Sequence, residues 1–174
     1  MIQNERDARH SHVMAVARQL MTAARTAPKA KGVDLIETIL VSDEHLDVLA
    51  RCMEEMAATR NLPFFLRDAS NIRMAECVVL VGTRTGAQGL NCGHCGYDTC
   101  GARPKGVPCV LNSVDVGIAL GSACSMAADL RVDTRVMFSA GLAAQCLGWL
   151  PDCYTVFALP VSASSKNPFF DRPS

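Results

Sequence analysis

The chain has 174 residues, with 17 Lys plus Arg against 17 Asp plus Glu, and is 49% apolar but only 5% aromatic. That length suits a single domain, 1–174, with a real core, and the apolar content excludes disorder as the main state. The balanced charge gives no overall electrostatic reason to expect a nucleic-acid or membrane partner. The start, MIQNERDARHSH, is polar, and no uninterrupted apolar run reaches the roughly 18 residues that span a bilayer. Nine cysteines in such a chain are expected to sit in a reducing cytoplasm, where disulfides are not maintained. Their odd number also argues against a disulfide framework.

From Ala8 to Ala24, apolar residues recur at Val13, Val16, Ala17, Leu20, Met21 and Ala24, the stripe of a helix with one buried face. Pro28 stops it. The β-branched segment 34–41 reads as a buried strand. Ser42 is placed to cap a second helix, with Asp43 and Glu44 in its first turn and Leu46, Leu49, Ala50, Met53 and Met56 on its buried face. After Asn61-Leu-Pro63, a loop or short helix leads to a strand over 76–82, too apolar to be exposed on either face and therefore central. Helices are expected over 114–130 and 134–149, then a strand over 154–160. The helix over 114–130 carries Gly117, Ala119, Gly121 and Ala123. Glycine costs a helix about 1 kcal/mol relative to alanine, so its repetition implies tight packing or the approach of another backbone or a flat ligand. Phe169 and Phe170 in the tail read as exposed, a liability that a partner subunit would remove.

Between Gly82 and Asn112 neither helical nor strand periodicity appears, and a loop this long in a compact domain is functional or held by something other than a core. It contains NCGHCGYDTC, and Cys92, Cys95, Cys100 and Cys109 are separated by two, four and eight residues. A Cys-x-x-Cys turn lets two thiolates reach one metal centre while backbone amides stabilise their charge, and Gly93 and Gly96 let the chain curl around it. Four-cysteine zinc sites commonly pair two knuckles far apart in sequence. All four here lie in one short loop, an arrangement that favours an iron–sulfur cluster, 4Fe–4S rather than 2Fe–2S. Zinc is the alternative, and redox-active or unliganded thiols a third. The other five cysteines, at 52, 77, 124, 146 and 153, fall in predicted helices and strands and read as small apolar fillers.

No Gly-x-Gly-x-x-Gly or Walker spacing is present; the glycines at 82, 86 and 89 fit neither. No Ser-His-Asp set or paired carboxylate stands out, and His10, His12 and His45 lie in polar helical contexts, so no catalytic residue is assigned.

Taken together, the segments at 25–34 (RTAPKAKGVD), 92–100 (CGHCGYDTC), 115–128 (DVGIALGSACSMAA), 132–144 (VDTRVMFSAGLAA) and 166–172 (KNPFFDR) resemble an uncharacterised family of ferredoxin-domain-containing proteins. That resemblance implies a cluster on the four loop cysteines and names no reaction. A more distant similarity is to FMN-dependent nitroreductases, whose first helix runs into an Ala-Pro turn like 27–32 and whose central helix is like the one from Asp115. It implies an α+β fold, a nitroreductase-like α/β sandwich with an inserted cysteine-rich, ferredoxin-like loop at 82–112. It further implies a homodimer with FMN between subunits, near Arg25, Thr26, Lys29, Lys31, Gly117, Gly121 and Ser122. Gly32 stands where that family has an asparagine, and its Arg-Ser-x-Arg clamp is missing; Arg25, Lys29 and Lys31 offer the phosphate's counter-charge instead. The reading is an iron–sulfur redox protein, with or without flavin, acting in electron transfer or as an oxidoreductase. The alternative is a non-catalytic zinc- or cluster-binding interaction module.

Overall fold

A computed structural model describes residues 1–170. The chain order is α1 (Glu5–Thr26), β1 (Ile36–Ser42), α2 (Glu44–Thr59), α3 (Phe64–Arg73), β2 (Cys77–Arg84), α4 (Val110–Asp129), β3 (Asp133–Thr134), α5 (Phe138–Cys146) and β4 (Cys153–Ser162), with single 3-10 turns at Ala30–Gly32 and Cys100–Ala102. The sheet runs β1-β2-β4-β3, and every pairing is antiparallel.

Period-two alternation explains the layering. Cys77, Val79 and Val81 face one way, into a core shared with Val13, Ala17 and Leu20 of α1 and Val116, Ala119 and Ala123 of α4. Val78 and Leu80 face the other, against Leu49 and Met53 of α2, Phe65 of α3 and Ala140 of α5. With both faces covered, β2 is an interior strand, as its unbroken apolar run predicts. The result is the mixed helix-and-sheet sandwich expected from the sequence.

Local departures have physical causes. Ser42 ends β1 instead of capping α2: its hydroxyl donates to the Asp43 carboxylate at 2.6 Å, and Asp43, at φ 56°, precedes the helix without a capping side chain. The helix expected from 134 starts only at Phe138, because Asp133 and Thr134 pair with Val161 and Ser162 as a two-residue edge strand. Two residues are too few to leave a periodic signal. Phe169 is fully buried while Phe170 is 56% exposed, so only one of the two tail phenylalanines reads correctly as exposed. The remainder of the resembling segment 166–172 beyond Phe170 lies outside the described residues.

As a helix, α4 has an 18-residue window of mean hydropathy 1.4, long and apolar enough by those measures to cross a membrane. It packs instead along α1, β2 and β3, with Asn112 and Asp115 buried on its inner side, which is how a core helix behaves.

Candidate metal centre

The segment 85–109 connects β2 to α4, and Cys92, Cys95, Cys100 and Cys109 line one cavity within it. Glycine geometry turns the chain there: Gly93 and Gly96 adopt φ of 72° and 84°, and the Gly96 N–H donates to the Gly93 carbonyl at 2.8 Å. Asn91 ties the two ends of the quoted stretch together. Its Oδ1 accepts the Cys100 N–H at 2.8 Å, and its own N–H points at the Cys100 sulfur, 3.4 Å away. Cys109 is buried at the N-terminal end of α4, where free backbone N–H groups and the helix dipole favour a negative charge.

The thiols divide by environment. Burial pushes Cys77 up to about 12 and Cys52 and Cys153 up to about 11, so these are protonated packing groups. Burial also raises Cys109, but N–H groups of Gln88, Asn112 and Leu111, with the nearby Arg103 charge, outweigh it and hold the thiol below its ordinary value. Thiolate is the ligating form. Arg103 lies on the same cavity wall, and its buried Nε has no hydrogen-bond partner. A donor left over beside four sulfurs, one of them held below its ordinary pKa, suits an anionic thiolate-bound centre.

The cavity is narrow, with room for about one water-sized sphere, ≈ 10 Å³. Accommodating a cluster requires its exposed wall, which carries Cys92, to move outward while Cys109 stays anchored on α4. Among the described residues no three His, Cys, Asp or Glu side chains converge closely enough for one ion. A tetrahedral zinc thiolate needs sulfurs about 4 Å apart, given bonds of about 2.3 Å. His94, between two of the cysteines, does not line the cavity.

The expected flavin contacts lie on the last turn of α1, on the 27–32 turn that follows it and on α4. Arg25 donates to Asp34 at 2.6 Å and to the Ile36 carbonyl. Lys29 is occupied by the carbonyls of Ala24, Arg25 and Ala27 at 2.5–2.8 Å, closing the C-terminus of α1, and burial lowers its pKa. The Thr26 hydroxyl donates to Thr22 within the helix, and Ser122 donates to the Ala23 carbonyl at 2.9 Å, bonding α4 to α1. Gly117 and Gly121 are exposed, and a Cβ added to either would meet nothing within 4 Å.

Three residues missed by the sequence reading organise this region. The buried Asp115 carboxylate accepts the Ala30 N–H at 3.0 and 3.2 Å, fixing the 27–32 turn against α4. Buried Gln88 donates to Asn112 at 2.8 Å, and its carbonyl accepts from Lys31 at 2.9 Å, so one residue touches the turn and its N–H bonds Cys109. For Asp115 and Asn112 the only sequence signal was a polar residue on an otherwise apolar helix, and Gln88, in the connecting loop, left none. A larger groove of ≈ 490 Å³ runs from β1 to Trp149, and its one histidine, His45, meets the Trp149 ring edge-on at 6.1 Å.

Comparison with known proteins agrees with this architecture. Solved structures of similar fold include a nitroreductase with bound FMN from Desulfitobacterium hafniense, with TM-score 0.59 at 14% identity, covering 95% of this chain and 92% of that one. Another is an FMN-dependent nitroreductase from Clostridium difficile, with TM-score 0.53 at 14% identity, covering 87% of this chain and 76% of that one. Residues 105–172 match the model of the family described as "Uncharacterized protein containing a ferredoxin domain (DUF2148)", a stretch that includes Cys109 of the four. An uncharacterized protein of Archaeoglobus fulgidus is 38% identical over 99% of this chain and 98% of its own length. Matched by that family's model over residues 105–172 and by the Archaeoglobus protein along nearly its whole length, the chain belongs to the family of uncharacterized proteins containing a ferredoxin domain.

Proposed function

We propose that this is an iron–sulfur redox protein whose Cys92, Cys95, Cys100 and Cys109 hold a 4Fe–4S cluster. The observation that carries the reading is the common cavity lined by all four, reinforced by the lowered Cys109 thiol and the family's ferredoxin domain. When bound, such a cluster supplies one-electron transfer. The chain's own part is to hold the thiolates, donate N–H groups from Gln88, Leu111, Asn112 and Asn91 to their sulfurs, and keep solvent from Cys109. Hydrogen bonds to ligand sulfur raise a cluster's potential.

FMN is the second cofactor of this reading, supported by the fold it shares with FMN-binding nitroreductases. Arg25, Thr26, Lys29, Lys31, Gly117, Gly121 and Ser122 remain the proposed contacts. Lys31, at φ 59° on the turn, offers the flavin phosphate a cation, whereas Lys29 would first have to leave three carbonyls. The open space over Gly117 and Gly121 supports a flat ligand or a second helix there. The protein then acts as a cytoplasmic homodimer, an oxidoreductase or electron carrier.

Anaerobic isolation tests the centre. A brown protein containing about four iron and four sulfide per chain is expected, with the paramagnetic resonance signal of a reduced cluster. Cys95→Ser should lose the iron and keep its helical circular dichroism. A colourless protein with one zinc per chain would support the interaction-module alternative, and unchanged iron in Cys95→Ser would overturn the ligand assignment.

A further inference from the structure

A second cleft, ≈ 360 Å³, adjoins the cysteine cavity and is lined by Thr85, Gly86, Arg103, Lys105, Gly106 and Tyr154 together with Pro104. Arg103 belongs to both walls. No carboxylate side chain lines the cleft, so no acidic group on its own walls offsets its two cations. Among the described residues Lys105 makes no hydrogen bond or ion pair, and neither the Tyr154 hydroxyl nor the Thr85 hydroxyl has a partner. Arg103 is steadied by one bond, from Nη2 to the Gly86 carbonyl at 3.1 Å.

The backbone beneath is shaped for this opening. The β2–β4 register slips between Val81–Phe157 and Thr83–Tyr154, so Thr155 and Val156 stand opposite Gly82 alone. Thr155 sits at φ 53°, a conformation unfavourable for a β-branched residue. Bulges of this kind re-aim side chains beside functional sites, and strain there is held by the surrounding structure. Here the bulge adjoins Tyr154, the aromatic wall of the cleft.

We propose that this cleft binds a small anion bearing a carboxylate or phosphate group, held by Lys105 and Arg103 and packed against Tyr154. The binding depends only on these groups, while a redox role for the ligand rests on the cluster reading, because shared Arg103 would bring it beside the centre. A planar aromatic carboxylate suits the Tyr154 face, and an inorganic oxyanion would use the cations alone.

The test is calorimetric titration of anaerobically isolated protein with benzoate and, separately, inorganic phosphate, with iron assayed on the same samples. Saturable binding is expected, weakened about tenfold by Lys105→Ala. Tyr154→Ala should weaken benzoate alone if the ligand is an aromatic carboxylate, and neither probe if it is a simple oxyanion. Thermal melts establish that the variants are folded. Absence of saturable binding, or affinities unchanged by Lys105→Ala, would overturn the proposal even in iron-replete protein. Binding in iron-free protein would leave it standing and count against the cluster instead.

Discussion

Gly141 sits where α5 crosses β4, and a Cβ built there would lie 2.0 Å from the Val156 carbonyl oxygen. Because backbone cannot yield as a side chain does, Gly141→Ala should destabilise by at least the roughly 1–3 kcal/mol typical of overpacking, read as a lower denaturant midpoint. Gly117→Ala is the contrast: with open space around it, helix propensity alone should stabilise the folded chain by up to about 1 kcal/mol. Asp68 supplies an acid-sensitive contribution. Burial opposes its charge, but hydrogen bonds from Ser139, Arg67 and Arg135 prevail and hold its pKa below the ordinary 3.8. A carboxyl depressed in the fold stabilises it above its unfolded pKa, and that contribution is lost as pH falls through the folded value. Acid unfolding followed by circular dichroism should therefore begin at higher pH in a protein where Arg135→Met has removed one of those bonds. None of this was legible beforehand, since glycine in a helix and aspartate in another carry no mark of the partner they meet.

At the scale of elements, the buried helix faces followed from periodicity and β1, β2 and β4 from their short apolar runs, β2 being apolar throughout because the sheet is covered on both sides, while the two-residue β3 left no signal. The tail did not, since two adjacent phenylalanines look alike until the fold selects one. Phe169 fills the core while Arg135 and Asn71 donate to the carbonyls of Phe169 and Pro168 at 2.8 and 2.9 Å, latching the segment down. Phe169→Ala should cost about 3–5 kcal/mol and Phe170→Ala much less, a difference measurable by chemical denaturation. Cys146 is another misreading: it is exposed at the end of α5 and near enough to Cys52 of α2 to help raise that thiol's pKa, a proximity across 94 positions that spacing could not reveal. The four-cysteine cavity was legible because its members are close in sequence, and the anion cleft was not, because Tyr154 joins it from β4.

For the whole molecule, the outward side of α4 matters most. Val110, Val114 and Ile118 are each more than a third exposed and lie one turn apart, with Gly117 and Gly121 alongside, an apolar stripe that the proposed homodimer would cover. Ile118→Glu should halve the mass seen by sedimentation without lowering iron content. The same helix begins at Cys109. One rigid rod thus joins the proposed metal centre to the surface where two copies would meet, and whatever fixes its first turn also sets the pitch of that surface. Iron-starved cells are then expected to hold a larger share of free single chains, so the assembly state would report on metal supply.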